Sequence, residues 1–218
     1  QLQTLGVYIY ATDFDLPNRT ATVTAESEVR NEHARPRTFA YEVTLLDLEG
    51  QLVKQFSAAA TTLAPGETRI VRAAARVSGL HFWSWGYGYL YTVQTTLKVD
   101  GRAVDTVMTR TGFRKTEFGQ GVVKLNGRVI QMKGYAQRTS NEWPALGNAV
   151  SPWLSDFSNG LMVESGGNLV RWMHITPAKQ DVESCDRVGL IQAMPAGDAE
   201  ADVTGDRKST RLNSSHAN

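Results

Sequence analysis

The chain has 218 residues, 41% of them hydrophobic and 21% charged, and its 23 Lys and Arg nearly balance 22 Asp and Glu to leave a net charge of +1. Those values describe an ordinary globular composition with room for one large domain or two small ones. They give no electrostatic reason to expect a nucleic acid or an anionic membrane as partner, and no apolar stretch is long enough to span a bilayer. The start, Gln1-Leu2-Gln3-Thr4, lacks an initiator Met and a basic leader, so a processed protein or an internal piece is expected. The single cysteine, Cys185, excludes an intrachain disulfide, and the compartment stays open.

In chain order, residues 1 to 113 read as all-β. Alternating or β-branched runs cover Thr20 to Val29, Phe39 to Leu48, Thr68 to Val77, Tyr89 to Val99 and Ala103 to Thr111. Turn signals separate them at Glu49-Gly50, Pro65-Gly66 and Asp100-Gly101, the last being a two-residue hairpin signal. Roughly seven short strands in about 100 residues predict an immunoglobulin-like β-sandwich.

The pattern changes near Gly112-Phe113-Arg114. A hairpin is predicted from Val122 to Leu125 and Arg128 to Met132, turning at Asn126-Gly127. Ser151-Pro152 opens a helix that Gly166-Gly167 stops. A strand from Asn168 to His174 follows. Thr176-Pro177 opens a second helix in the same way. Its Ala178, Val182, Cys185 and Val188 recur at helical spacing, and Gly189 ends it before a strand from Leu190 to Met194. With the run before Gly134 counted as the first strand, the order is strand, helix, strand, helix, strand. That is the beginning of a parallel sheet with right-handed crossovers. Arg207 to Asn218 is rich in Lys, Arg, Ser and Asn. It is expected to be disordered, and its wording resembles translated sequencing-adapter DNA, so residues 206–218 are read as a non-native tail.

Two stretches resemble glycoside hydrolase family 2, the β-galactosidase, β-glucuronidase and β-mannosidase group. The first is Phe82-Trp83-Ser84-Trp85-Gly86-Tyr87-Gly88-Tyr89-Leu90-Tyr91, running through Val104 to Val107 and on to Gly112-Phe113-Arg114. The second runs from Leu125-Asn126-Gly127 through Met132-Lys133-Gly134 to Asn168, Arg171 and His174, and ends in Asp186-Arg187-Val188-Gly189-Leu190. There are departures. Gly88 stands where the family usually has Pro, Trp172 and Met173 stand where it has two small residues, and Gln137-Arg138 stand where it often has His. Pro195-Ala196-Gly197 comes before Asp198, where the family often has an acid directly after the strand.

The resemblance implies a multidomain β plus α/β chain. An immunoglobulin-like β-sandwich over 1–113 would precede the first strands and helices of an incomplete (β/α)8 TIM barrel over 114–205. The implied activity is retaining hydrolysis of a β-glycoside, with β-galactosides the first expectation because that activity is common in the family. No cofactor is implied and no metal motif is visible. Barrel enzymes place their active sites at the C-terminal ends of the strands. That rule selects Gln137, Arg138, Arg171, His174 and Asp198 as candidate substrate-binding residues. By resemblance, Arg171 would neighbour the nucleophilic carboxylate and His174 would bind a sugar hydroxyl.

Each candidate has a plainer reading: a surface ion pair for Arg171, a structural role for His174, and exposed loop for Gln137, Arg138 and Asp198. Trp143, Trp172 and Cys185 are read as packing residues. Asn141-Glu142 imitates the family's acid/base pair but follows the first strand rather than the fourth. Retaining hydrolysis needs two carboxyls about 5 Å apart, which the family takes from strands four and seven. Neither is expected in these 218 residues, and the partial barrel is expected to be loose or aggregation-prone. The alternative is a non-catalytic sandwich-type carbohydrate-binding or interaction module. A nucleotide-binding domain ranks below both, because no glycine-rich phosphate loop follows a strand.

Overall fold

The computed structural model describes residues 6–137, 150–173 and 176–194. They form two compact units. One is built of residues up to His81 together with Leu90–Phe113, and the other of Phe82–Tyr89 together with residues from Arg114 onward.

The first unit is a β-sandwich. Strands β1 (Val7–Asp15), β2 (Thr20–Arg30) and β6 (Thr68–Val77) make one antiparallel sheet in the order β1-β2-β6. Strands β3 (Arg37–Leu46), β4 (Leu52–Ser57), β5 (Thr61–Leu63), β7 (Tyr91–Val99) and β8 (Arg102–Thr111) make the other, in the order β4-β3-β7-β8 with β5 also on β3. Period-two alternation explains the packing. Phe39, Tyr41, Val43 and Leu45 of β3 and Ala21, Val23 and Ala25 of β2 are buried, and the residues between them mostly are not. A hydrogen bond of 2.7 Å joins the Ser27 and Tyr41 hydroxyls across the two sheets, and burial raises the Tyr41 pKa. Asp100 and Gly101 both take positive φ, 51° and 77°, so the predicted two-residue turn joins β7 to β8. The sequence reading missed β1 and the short strands β4 and β5.

In the second unit, β9 (Thr116–Gly119), β10 (Val122–Leu125) and β11 (Arg128–Ile130) form an antiparallel meander. Its second turn is Asn126-Gly127, at φ 49° and 76°. This corrects the strand count. The run before Gly134 belongs to the meander, and the first parallel strand is β12 (Gly134–Gln137). The reason lies at Gly134, where a Cβ would come within 2.3 Å of the Leu169 carbonyl oxygen. Glycine lets the two backbones meet there, and Asn168 brackets the junction. Its Oδ1 accepts from the Lys133 amide at 2.8 Å, and its Nδ2 donates to the Gln131 carbonyl at 2.8 Å.

Helix α1 (Pro152–Glu164), strand β13 (Leu169–Trp172), helix α2 (Lys179–Val188) and strand β14 (Ile191–Ala193) follow. The sheet is parallel throughout, in the order β12-β13-β14. Helix α1 opens at Ser151-Pro152 as expected, whereas α2 starts later than expected. Ser151 occupies the N-cap of α1 without a side-chain bond. Helix α2 begins at Lys179 rather than at Pro177, because the Asp181 carboxylate reaches back to accept the Ala178 amide at 3.2 Å. Gly189 ends α2 at φ 78°, as its position predicts.

The helices meet along a buried polar seam. Ser155 Oγ donates to Asp181 Oδ1 at 2.7 Å, and Asn159 Nδ2 donates to Ser184 Oγ at 3.0 Å. Burial raises the Asp181 pKa above the usual carboxylate value, against the hydrogen bonds from Ser155 and Ala178, which lower it. The folded unit therefore holds this proton more tightly than the unfolded chain does. Its contribution favours folding below the ordinary carboxylate pKa and declines as pH rises through the raised value. Asp181→Asn removes that dependence while keeping an acceptor. Its melting temperature relative to the parent should climb as pH rises above the ordinary carboxylate range. A difference that stays constant with pH would contradict this assignment.

The candidate active site

Residues Phe82–Tyr89 form a strap on the α2 end of the second unit. Ser84 and Tyr87 close a tight turn with paired backbone hydrogen bonds of 3.0 Å. The Gly86 amide donates to the Gly189 carbonyl at 2.9 Å, and the Trp83 indole donates to the Asp186 carbonyl at 2.8 Å. The Arg114 guanidinium lies 5.2 Å from the Trp83 ring centroid. Burial lowers the Arg114 pKa, and the Asp186 charge acts in the opposite direction. Gly88, the departure noted at the family's Pro position, lies directly on the helix backbone, where an added Cβ would come within 1.9 Å of the Arg187 carbonyl oxygen. Strap and helix end thus fix where β14 starts.

One face of the parallel sheet is covered. Val170 and Trp172 of β13 join Cys185 and Leu190 in a buried cluster, with Tyr135, Met162, Val163 and Val188 packed against it. Trp172 and Cys185 are therefore packing residues, as read from the sequence. Burial pushes the Cys185 thiol far up, which keeps it protonated and inert.

Arg171 alternates onto the opposite face and is exposed. Its registered neighbours are Ala136 on β12 and Ala193 on β14. A long cation therefore stands on the central strand in register with an alanine on each neighbouring strand, near the C-terminal strand ends where parallel sheets bind ligands. Sequence reasoning found Arg171 but not the two alanines. Small residues at a strand end or one position before it are the available signal, and it acquires meaning only once the register is known.

Gln137 is placed differently. It pairs in register with Trp172, is buried on the helix-covered side, and accepts a short hydrogen bond from the Tyr135 hydroxyl. The Met173 amide donates to its carbonyl at 2.9 Å. The structure thus sets Gln137 and Arg171 on opposite faces rather than bringing them together. Arg138, His174 and Asp198 lie outside the described residues, as do Asn141, Glu142, Trp143 and residues 206–218. Among the described residues no cluster of three or more His, Cys, Asp or Glu could hold a metal ion, and no helix is long and apolar enough to cross a membrane.

A sandwich joined in sequence to a parallel α/β unit also occurs in known proteins. Residues 7–114 match the family model of glycosyl hydrolases family 2. A β-glucuronidase of Formosa agariphila is 30% identical over 206 residues, covering 94% of this chain and 21% of that protein. A β-galactosidase of Psychromonas ingrahamii is 33% identical over 113 residues, covering 50% of this chain and 10% of that protein. The solved structure of a β-glucuronidase from glycoside hydrolase family 2 superimposes with a TM-score of 0.81 at 30% identity, over 91% of this chain and 20% of that one. The chain belongs to glycosyl hydrolases family 2, and it spans about a fifth of the length of the Formosa relative.

Proposed function

We propose that this chain is part of a retaining β-glycosidase, with the immunoglobulin-like sandwich over 1–113, the first strands and helices of a (β/α)8 barrel over 114–205, and a non-native tail over 206–218. The observation that carries this reading is Arg171, exposed on the face of the central parallel strand opposite the α1 and α2 packing, between Ala136 and Ala193. Two further features support it. Strands β12 and β14 are the edges of the parallel sheet. On α1, Trp153, Phe157 and Leu161 are 67%, 52% and 48% exposed at a four-residue spacing that puts them on one helix face. Additional strand–helix units would pair those edges and cover that stripe.

In the complete site, two carboxyls about 5 Å apart perform the chemistry. One attacks the anomeric carbon, and the other protonates the leaving oxygen and then activates water. By family resemblance both come from later strands. Arg171 neighbours the nucleophile, and its fixed positive charge holds that carboxylate ionised. Arg138, His174 and Asp198 follow strand ends and supply hydrogen bonds to sugar hydroxyls. Gln137 braces β12 from the helix side through Tyr135. The substrate is a β-glycoside. β-Galactosides and β-glucuronides are the two sugars to assay, the second because a relative aligned over 94% of the chain is a β-glucuronidase.

The purified 218-residue chain should release nitrophenol from aryl β-galactoside or β-glucuronide no faster than buffer does. Hydrolysis that disappears in Glu142→Gln would overturn the assignment of the catalytic carboxyls to later strands.

A further inference from the structure

The strap Phe82–Tyr89 belongs to the α/β unit by its contacts but to the sandwich by its connections. It links β6 to β7, which lie in different sheets of the sandwich. Both of its feet are fixed there. Leu80 is buried and its amide donates to the Arg19 carbonyl at 2.9 Å. The Arg19 guanidinium donates back to the Leu80 and Gly79 carbonyls at 2.9 and 3.0 Å. The His81 amide donates to the Tyr91 hydroxyl at 2.7 Å, which ties one foot to the other. The Tyr91 ring in turn lies 5.3 Å from that of Phe113, where the chain leaves the sandwich.

The tip is built into the α/β unit. Trp83 is buried, and its carbonyl accepts from Asn126 Nδ2 at 2.9 Å, in the turn between β10 and β11. Its indole satisfies the Asp186 carbonyl, one of the last of α2, which helix geometry leaves without an amide partner. The fit is reciprocal. A Cβ on Gly189 would lie 2.6 Å from both the Ser84 carbonyl oxygen and the Tyr87 nitrogen, as one on Gly88 would meet the Arg187 carbonyl. Strap and helix end therefore meet backbone to backbone, with no side chain between them at these glycines.

We infer that the sandwich lends this strap to the α/β unit and is thereby an integral scaffold of it rather than a detachable module. The advantage is entropic. A free segment must be captured and ordered before it can make these contacts, whereas one already held at both feet presents them at high effective concentration. The chain also re-enters the α/β unit beside the strap, since Arg114 stacks on Trp83. A polypeptide begun at Arg114 would keep α2 and β14 but lose the seat of their junction. The inference concerns how the chain folds and does not rest on its being a glycosidase.

The test is hydrogen exchange on the 218-residue chain with its strap feet lengthened. Linkers of about six Gly and Ser residues are inserted between His81 and Phe82 and between Tyr89 and Leu90. Every strap contact stays possible, but the feet no longer position it. Amides of α2 and β13 should lose protection about tenfold, while those of β2 and β3 keep theirs. The same linkers placed in the turn at Asp100-Gly101 should leave α2 and β13 unchanged. Trp83→Ala, which leaves the feet intact, should have the same regional effect as lengthening them. Unchanged protection of α2 and β13 in the chain with lengthened feet would overturn the inference. So would a loss spread equally over β2 and β3, or a parent chain in which α2 and β13 are unprotected.

Discussion

Gly88→Ala should unfold the second unit or cost it about 3 kcal/mol or more. The added methyl would sit 1.9 Å from the Arg187 carbonyl oxygen, 2.4 Å from its carbon and 2.6 Å from the Asp186 oxygen. All three are backbone atoms at the end of a helix, so no side chain can swing aside. Relief requires the strap to lift, which gives up the Gly86–Gly189 and Trp83–Asp186 hydrogen bonds and the stacking of Arg114 on Trp83. For a unit of this size the loss corresponds to at least roughly 12 °C in melting temperature. Melting followed by tryptophan fluorescence reads it directly. A Gly88→Ala chain that melts within about 2 °C of the parent would show that the strap is not seated on α2.

Trp172→Ala should cost about 3–5 kcal/mol, the range for emptying a large aromatic site in a packed core. Trp172 is 2% exposed and packs with Val170, Cys185 and Leu190. Its indole also donates to Gln192 Oε1 at 3.0 Å, and Gln192 Nε2 donates on to the Val182 carbonyl at 3.4 Å. The substitution thus opens a cavity and removes the donor that ties β13 to β14. Trp172→Phe keeps most of the volume and loses only that donor, so it should cost less, about 1–3 kcal/mol. Urea unfolding of the three chains, with hydrogen exchange to assign the loss, should place the damage in β12, β13 and β14. Amides of β2, β3 and β7 should keep their protection. Equal losses for Ala and Phe would mean that the hydrogen bond, rather than the packing, holds this cluster.

The sequence displays features whose causes are local. Asp100-Gly101 and Asn126-Gly127 are hairpin turns because both residues of each pair adopt positive φ, and Gly189 ends α2 for the same reason. Cys185 lies on the apolar face that helical spacing predicts. Features that depend on a distant partner are not visible there. Gly134 reads as a break after a strand, yet it starts one, because what it makes room for is Leu169, far along the chain. Gly88 reads as an odd substitute for Pro until Arg187 is seen against it. The placement of Gln137 turns on its register with Trp172, which puts it behind the sheet rather than beside Arg171. Strand β4 has little alternation to detect, because it is an edge strand with both faces largely in solvent.

Arg171 is exposed near the end of the central parallel strand, in register with Ala136 and Ala193. The most direct test is the hydrolysis of aryl β-galactoside and β-glucuronide by the longer polypeptide that contains this sequence, with and without Arg171→Ala. The predicted result is that kcat/KM falls at least about a hundredfold while the melting temperature is unchanged. Retained activity in a well-folded Arg171→Ala enzyme would contradict the placement of Arg171 at the catalytic centre.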